Sequence, residues 1–415
     1  MAQERIKIYI SSLSSIQIYG DEVDVSDLAL AESLPSVREF IDSEDFDIGL
    51  FAFGSIAVSF DNSLGKFNGA EDARSIFSYT RDKAKVRIAV ESATITYATD
   101  GAVSASTLSE TTIFRGLLND PSSKFDAVND IATFEILSYD AILSQVKIEP
   151  GQIATGDLLS DALSSLLNQD LVTSILTVDN ANIVLDNDVA IDDPTFFDNL
   201  NGLDLLKALL PAANSVILID DSTIYAQSRD EDIVSPTVYL YGRYDIHGRE
   251  NVIDLFDFND GLQRTFNSVV VNDSESNDPG SILEYGIRQK QFTFQFITSS
   301  ATEDAISQRM VDEFRIPKLE ISVVIPLSIG KDVSLLQQVS LNYPLQVVPD
   351  DGEFLPVLGE SEYGDPDMPY PREYGSISID EDVAFKIIEK EHDLSGLTTK
   401  LKLRQIGTET SDGYF

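Results

Sequence analysis

The order of hydrophobic and polar residues changes twice along the chain. From residue 1 to about 148, apolar and polar residues alternate, as at Ile6, Ile8 and Ile10. A period of two is typical of a strand that buries one face. Similar runs, separated by loops that include one through Pro121, occur at Leu50–Phe60, Lys85–Val90, Thr94–Tyr97, Ile113–Leu118 and Ala132–Leu137. This region predicts an antiparallel β-barrel or sandwich.

Near residue 150 the period becomes helical. Apolar residues from Leu158 to Leu167 recur on one helix face, and Thr155 is the predicted N-cap. A second helix is predicted from Leu203 to Leu210, ending at Pro211. Two apolar runs then flank Asp220, Asp221 and Ser222, which predicts a hairpin at 216–226. Residues 149–235 therefore predict an α+β region made of two helix-then-strand units.

From residue 236 to 415 the strand pattern returns, for example at 237–241, 267–271 and 319–327, and at Phe292, Phe294 and Phe296. A helix at about 300–316 interrupts it, with Ser300 and Glu303 as a capping box. Residues at about 350–375 are rich in Asp, Glu, Pro and Gly and predict a long acidic loop or arm. The last strands, 383–389 and 398–406, flank an acidic turn that contains His392.

The fold class that follows is α+β and mostly β. It comprises two antiparallel barrel or sandwich domains at 1–148 and 236–415, with a middle α+β domain at 149–235. The end of each β region also looks alike: Thr133–Leu137 resembles Thr399–Leu403 in pattern, although many antiparallel hairpins share such a pattern.

The charge is the strongest compositional feature. There are 70 acidic residues against 29 basic ones, and the net charge is -41. A surface of this kind repels nucleic acid and anionic lipid. Three explanations stay open: a solvated surface that promotes solubility, adaptation to high salt or divalent cations, and a conduit that must not bind passing nucleic acid.

The sequence predicts no catalytic site, cofactor or metal centre. Cysteine is absent and only His247 and His392 are present, which argues against thiolate or multi-histidine sites. His247 follows Asp245 at the spacing of an oriented base, but no nucleophile accompanies it. A calcium site in a loop is an alternative to a solvated charge run for four carboxylates: Asp186, Asp188, Asp192 and Asp193. Neither a membrane-spanning run nor a secretory signal is predicted.

Several segments resemble the hub proteins of tailed-phage baseplates and related injection machines. The matching stretches are 114–118 with 132–143, 203–216 with the hairpin to Arg229, 260–269, 291–298 with the following helix, and 398–405. They cover about two thirds of the chain, and the order of β, α+β and β regions matches as well. The acidic arm and the absence of tryptophan depart from the family's pattern.

The resemblance implies a structural, non-enzymatic protein of the virion tail tip, assembled in the host cytoplasm. It implies a homotrimer whose two tube-like domains per chain adapt a six-fold tube to a three-fold tip. The implied partners are the tail tube or distal-tail protein, a tip, spike or fibre protein, and the tape-measure protein. No membrane anchor and no sequence-specific nucleic-acid binding are implied. The alternatives are another structural component, such as a distal-tail or wedge protein, and a lytic or depolymerising enzyme with two carboxylates.

A trimer of so acidic a chain needs contact surfaces that limit repulsion between like charges. We therefore expect those surfaces to be poor in Asp and Glu or to carry the scarce cations. The candidate interface residues are Arg5, Lys7, Arg87, Arg288 and Lys290. A lumen lined by acidic side chains is expected if the charge serves DNA passage.

Overall fold

The structure is a computed structural model. It describes residues 4–13, 19–41, 52–53, 55–77, 80–97, 103–229, 238–242, 250–259, 261–344, 378–379 and 384–406. His247, the acidic arm at about 350–375 and part of the run at Leu50–Phe60 lie outside these ranges, so those predictions stay predictions.

Strands dominate the described part of the chain. They are β1 Glu4–Leu13, β2 Val23–Asp24, β3 Ser36–Phe40, β4 Ala52–Phe53, β5 Ser55–Asp61, β6 Thr80–Tyr97, β7 Val103–Asp126, β8 Ile131–Ser138, β9 Thr177–Ile183, β10 Ser215–Asp220, β11 Thr223–Ser228, β12 Val238–Tyr241, β13 Asp254–Asn259, β14 Ser268–Val271, β15 Ser274–Asn277, β16 Gln289–Phe292, β17 Glu320–Pro326, β18 Gln338–Pro344, β19 Ser378–Ile379, β20 Ala384–Asp393 and β21 Thr398–Gln405. The helices are α1 Leu159–Leu167, α2 Asp170–Thr173, α3 Gly202–Ala213, α4 Pro279–Tyr285, α5 Ser300–Phe314 and α6 Leu327–Gly330. The prediction of a mostly β, α+β protein is confirmed.

The first sheet has the order β2-β1-β6-β7-β8-β5. Its alternating sequences bury every second residue, as Ile8, Val86 and Phe134 show. The predicted loop through Pro121 is wrong, because β7 continues past it to Asp126. Pro121 cannot donate to the ladder, and the pairing of β7 with β8 is irregular between Asn119 and Lys124.

The helical part follows the predicted order but begins and ends differently. The first helix starts at Leu159, not after Thr155, and Asp161 accepts a hydrogen bond from the Leu158 N–H at 3.0 Å. The helix predicted to stop at Pro211 continues to Ala213. Proline near a helix end removes a single internal hydrogen bond and keeps a helical φ, so the last turn can form.

The predicted hairpin is confirmed, with β10 and β11 antiparallel from Ser215 opposite Ser228 to Asp220 opposite Thr223. β9 adds to β11 in parallel, which completes a three-stranded sheet of order β10-β11-β9. Helix α1 and α2 precede β9, and α3 precedes β10, as the two helix-then-strand units predict.

The prediction of a capping box at Ser300 is wrong. Ser300 is the first residue of α5, Ser299 is its N-cap without a side-chain bond, and Glu303 instead accepts a hydrogen bond from Asn272 at 2.8 Å. The predicted strand through three phenylalanines ends early, at Phe292. The Phe294 N–H donates to the side-chain oxygen of Asn272 at 2.8 Å and not to a neighbouring strand, so the β-ladder ends before it.

His392 is not in a turn. It lies inside β20, is fully buried, and its Nδ1 is 2.8 Å from the Thr399 hydroxyl oxygen. The predicted strand at 383–389 was therefore too short, since β20 continues to Asp393. An acidic residue at every second position made this stretch look like a loop, but those side chains occupy the outer face of a strand.

Two sheets share one strand order. In the first sheet five of the six strands run β1-β6-β7-β8-β5, with β2 beside β1. In the nine-stranded C-terminal sheet five run β12-β18-β20-β21-β17, with β13 beyond β17 and with β3, β4 and β19 off this path. Counted along the chain within each set of five, both read first, third, fourth, fifth, second. One pairing differs: β1 is antiparallel to β6, whereas β12 is parallel to β18. The similar segments Thr133–Leu137 and Thr399–Leu403 lie in β8 and β21, which hold equivalent positions.

The cores cross the predicted domain boundaries. Strand β3 comes from the N-terminal region but pairs with β20, Ser36 opposite Asp393 and Phe40 opposite Glu389. The helical core around α1 and α3 also includes Val269, Phe296 and Met310 from the C-terminal region. The domain at 149–235 stays a prediction. Its helices share a hydrophobic core with residues of the C-terminal region.

Candidate interaction surfaces

The five candidate interface residues fall into two groups. Arg5 and Lys7 lie on β1, and Arg87 lies on the adjacent β6, where it is opposite Tyr9. Arg288 lies immediately before β16 and Lys290 lies within it, in the separate three-stranded sheet β15-β14-β16. The structure therefore brings three of the five together and places the other two in a different sheet.

The first group belongs to a larger row of cations. Alternation places Ile8 and Val86 in the core and their neighbours Lys7 and Arg87 on the outer face. The same face carries two basic residues that the sequence prediction missed. We call the whole set the basic strip: Arg5, Lys7, Lys85, Arg87 and Arg115. The alternation at Lys85–Val90 contained the signal for Lys85, and the pairing of β6 with β7 adds Arg115.

Arg87 is the centre of the strip. Its guanidinium is bonded to Glu22 at 2.6 Å and to Glu110 at 3.1 Å. It also lies over the ring of Tyr9, 4.0 Å from the centroid, and Tyr9 donates its hydroxyl hydrogen to Glu110. Arg115 pairs with Asp221 and, more loosely, with Glu22. Cation, ring and carboxylates thus form one connected network.

The network changes the titration of its members. Partial burial, together with the hydrogen bond to Glu110, raises the pKa of Tyr9 to about 12. The same hydrogen bond, aided by Arg87, lowers the pKa of Glu110, so its carboxylate stays ionised. Lys7 pairs with Asp24 at 2.8 Å. Three of the five cations of the basic strip, Lys7, Arg87 and Arg115, are therefore neutralised by carboxylates on or beside this face.

The second group is held differently. Arg288 donates from Nη1 to the Leu262 carbonyl at 2.8 Å, and the Lys290 ammonium lies 5.7 Å from the ring centroid of Phe266. Both side chains are half-buried. They lie directly after Ile287, one of the most exposed aliphatic residues.

A cleft of about 300 Å³ lies where the first sheet, the β10–β11 hairpin and the C-terminal region meet. Two ion pairs and a hydrogen bond border it. Arg115 of β7 bonds to Asp221 of the hairpin turn, and Lys331 donates to Thr111 of β7 at 3.3 Å, so the first sheet is tied to both neighbours. Lys390 of β20 pairs with Glu39 of β3 at 3.0 Å, within the C-terminal sheet. Two carboxylates of the lining, Asp221 and Glu39, are thus used in structural ion pairs.

Two carboxylates near the start of β17, Glu320 and Glu313, are each bonded to cations. Glu320 is 1% exposed and receives Arg404 at 2.9 Å. Burial acts to raise its pKa, but the charges of Arg404, Arg264 and Lys402 outweigh this and lower it. Glu313 is bonded to Lys318 at 3.0 Å.

The four aspartates weighed as a calcium site have other partners. Asp186 pairs with Arg309 at 2.5 Å, Asp188 accepts from the Ser160 N–H, and Asp192 accepts from the N–H groups of Thr298 and Ser299. Asp193 caps a short helical turn at Thr195. Among the described residues, no group of three or more His, Asp or Glu side chains is placed to hold a metal ion. Within the same ranges, no helix is both long and apolar enough to cross a bilayer.

Sequence comparisons give no assignment: no protein-family model and no curated protein matches the chain. Structural comparison does. A tail protein from Neisseria meningitidis matches with a TM-score of 0.57 at 12% identity, covering 99% of both chains. The prophage tail protein gp18 from Listeria monocytogenes matches with a TM-score of 0.51 at 10% identity, covering 98% of this chain and 96% of that one.

A third match is the 43 kDa tail protein of prophage MuSo2 from Shewanella oneidensis, with a TM-score of 0.50 at 10% identity over 97% of this chain and 96% of that one. The identities are low, but each match runs from one end of both chains to the other. Over its whole length, the chain has the fold of these phage and prophage tail proteins.

Proposed function

We propose that this chain is a structural component of a phage-type tail, and specifically the hub that joins a six-fold tail tube to a three-fold tip. The observation that carries the proposal is the strand order repeated in two sheets of one chain. The full-length likeness to tail proteins supports the wider assignment to a tail.

The repeated order has a geometric use. A trimer in which each chain supplies two similar sheets offers six similar faces around its axis, although only three chains are present. Such a ring can dock on a six-fold tube on one side and keep three-fold symmetry on the other. The differing orientation of β12 and β1 leaves the two faces alike but not identical.

In this role the chain has no catalytic activity. Its partners are further copies of itself, the tail tube or distal-tail protein, a tip, spike or fibre protein, and the tape-measure protein. Its place is the tail tip of the virion, after assembly in the host cytoplasm. The contacts around the cleft support a structural role, because they tie the first sheet to the β10–β11 hairpin and to the C-terminal region.

The charge fits a conduit for DNA. Three copies would carry -123 formally, three times the -41 of one chain. Wherever the outer face of a sheet lines the channel, exposed cations would bind DNA through counterion release. The pairing of Lys7, Arg87 and Arg115 with carboxylates weakens that attraction on this face.

Electron microscopy of the purified full chain tests the proposal. The expected particle is a three-fold ring with a central channel and six similar lobes. A ring with three lobes would instead indicate another structural component, such as a distal-tail or wedge protein. A compact monomer at high protein concentration, with and without added salt, would reject the hub.

A further inference from the structure

Helix α4 and the turn after it present bare aliphatic side chains to solvent. Leu283 is 90% exposed and Ile287 is 75% exposed. Single exposed hydrophobic residues are common, but two large ones within one turn form a patch that water solvates poorly. We call residues 283–290 the α4 knob.

The knob has a rigid base. Asn267, which is fully buried, donates from Nδ2 to the Gly286 carbonyl at 2.8 Å and accepts the Arg288 N–H at the same distance. Asp278 caps α4 by accepting the Ser281 N–H at 2.8 Å. A patch held in this way loses little conformational entropy when a partner covers it.

The charge beside the knob is opposite to that of the chain. Two cations, Arg288 and Lys290, lie within three residues after Ile287. Glu284 is the only acidic residue in the range 283–290. The chain as a whole carries 70 acidic and 29 basic residues. A partner for the knob should therefore combine apolar surface with carboxylates, and a second copy of this chain has acidic surface in excess.

A matching surface exists at the turn between β7 and β8, which we call the β7–β8 tip (residues 125–130). There Val128 is 89% exposed and Phe125 is 43% exposed. Asp126 and Asp130 lie beside them. The tip thus has the same construction as the knob, with exposed apolar side chains on a fixed turn, and the opposite charge.

The tip is also fixed. Asp126 accepts hydrogen bonds from the N–H groups of Val128 at 2.9 Å and Asn129 at 3.2 Å, and from the Asn129 side chain at 2.7 Å. The last of these, followed by the backbone bonds, lowers the pKa of Asp126. The tip therefore keeps its shape and its negative charge at neutral pH.

We infer that the α4 knob of one copy docks on the β7–β8 tip of a second copy. The contact is heterologous, since it pairs two different surfaces of the chain, and three such contacts can close a ring. This inference rests on the proposed function, because the hub requires a closed trimer, and it names residues that would hold the ring together.

The experiment measures the trimer dissociation constant of the full chain by sedimentation velocity, after microscopy has shown the wild-type ring. Leu283→Ser with Ile287→Ser should raise the constant tenfold or more. Leu108→Ser is the matched control, since Leu108 is 64% exposed and lies in neither surface, and it should leave the constant within twofold. Circular dichroism melts check that each variant is folded.

A charge swap tests the pairing itself. Lys290→Glu and Asp130→Lys should each weaken the trimer several-fold, and the double variant should restore it to within about threefold of wild type. Additive losses in the double variant would overturn the pairing, and so would knob variants that assemble normally. Those results leave the wild-type ring, and with it the hub, intact, whereas a wild-type chain that forms no ring would reject the hub and the contact together.

Discussion

Arg38 donates from Nε to Oε1 of Glu389 over 2.7 Å, although the two residues are 351 positions apart in the chain. The bond joins β3, from the N-terminal region, to β20 of the C-terminal sheet. The two sheets of repeated strand order are therefore connected by a strand and not only by the intervening chain. Next to Arg38, Val37 is 1% exposed and packs in the core of the first sheet.

The first prediction concerns this connection. Val37→Ala should lower the free energy of unfolding by about 1–3 kcal/mol, because it removes buried methyl groups where the two sheets meet. Arg38→Ala is the matched control: its side chain is 43% exposed, and loss of the surface pair should cost at most about 1 kcal/mol. Urea denaturation measures both. Equal effects would mean that β3 does not couple the sheets.

The sequence indicated most strands but not this connection. Alternation identified β1, β8 and β21 because each buries one face. It could not show that β3 leaves the first sheet, since pairing across the chain depends on neighbours that no local pattern records. The length of β7 was missed for a related reason: polar residues around Pro121 are loop-like in isolation, but β7 pairs with β8 again from Lys124 onwards, beyond the irregular stretch.

The second prediction concerns Glu320. Its substitution by Gln leaves Arg404, which is 3% exposed, beside a neutral group and should cost about 3–5 kcal/mol, the usual loss when one partner of a buried pair is removed. Lys7→Gln breaks a pair of similar length, 2.8 Å to Asp24, on the surface and should cost at most about 1 kcal/mol. Chemical denaturation of the two variants gives the comparison. A Glu320→Gln protein as stable as the Lys7→Gln protein would show that the cluster contributes nothing.

The third prediction is a pH dependence from His392. Burial, with a smaller contribution from the charge of Lys390, lowers the pKa of His392 to about 3, whereas an unfolded histidine titrates near about 6.5. Between these values the unfolded chain binds the extra proton. The stability that His392 contributes is therefore complete above about pH 6.5 and is lost as the pH falls towards 3, by at most about 1.4 kcal/mol per pH unit.

His392→Gln separates this contribution from that of the carboxylates. The variant should be less stable than wild type at pH 7, because the bond to Thr399 changes, yet lose less stability on acidification. Urea titrations at a series of pH values between 3 and 7 measure the two slopes. Parallel slopes would show that His392 has the same pKa in the folded and unfolded states, and so that burial does not hold it neutral.

The candidate surfaces were only partly visible in the sequence. Strand alternation puts Arg5 and Lys7 on one face of β1, but only the pairing of β1 with β6 in the structure brings Arg87 to the same face. Their acidic partners could not be inferred, since Glu22 and Asp221 come from a loop and a distant hairpin turn. The α4 knob was missed because Leu283 and Ile287 resemble core residues until the fold shows that nothing among the described residues covers them.

The last prediction concerns DNA. At low salt, a protein binds duplex DNA in proportion to the phosphates that its free cations neutralise, with a logarithmic salt slope of about 0.9 per phosphate. In the wild-type chain Lys7, Arg87 and Arg115 of the basic strip are engaged by carboxylates, among them Glu22 and Glu110 around Arg87. We therefore expect no measurable binding to a random duplex even at low ionic strength.

Replacing Glu22 and Glu110 by Gln removes those two carboxylates from Arg87 without reversing any charge, and should produce weak binding that disappears as salt is raised. Asp72→Asn with Asp273→Asn, both outside β1, β6 and β7, removes the same two charges, frees Arg74 and so controls for the change in net charge. Fluorescence anisotropy with a labelled duplex measures all three proteins. Binding by the wild-type chain, or equal binding by both variants, would show that carboxylate pairing on the first sheet is not what keeps DNA from adhering.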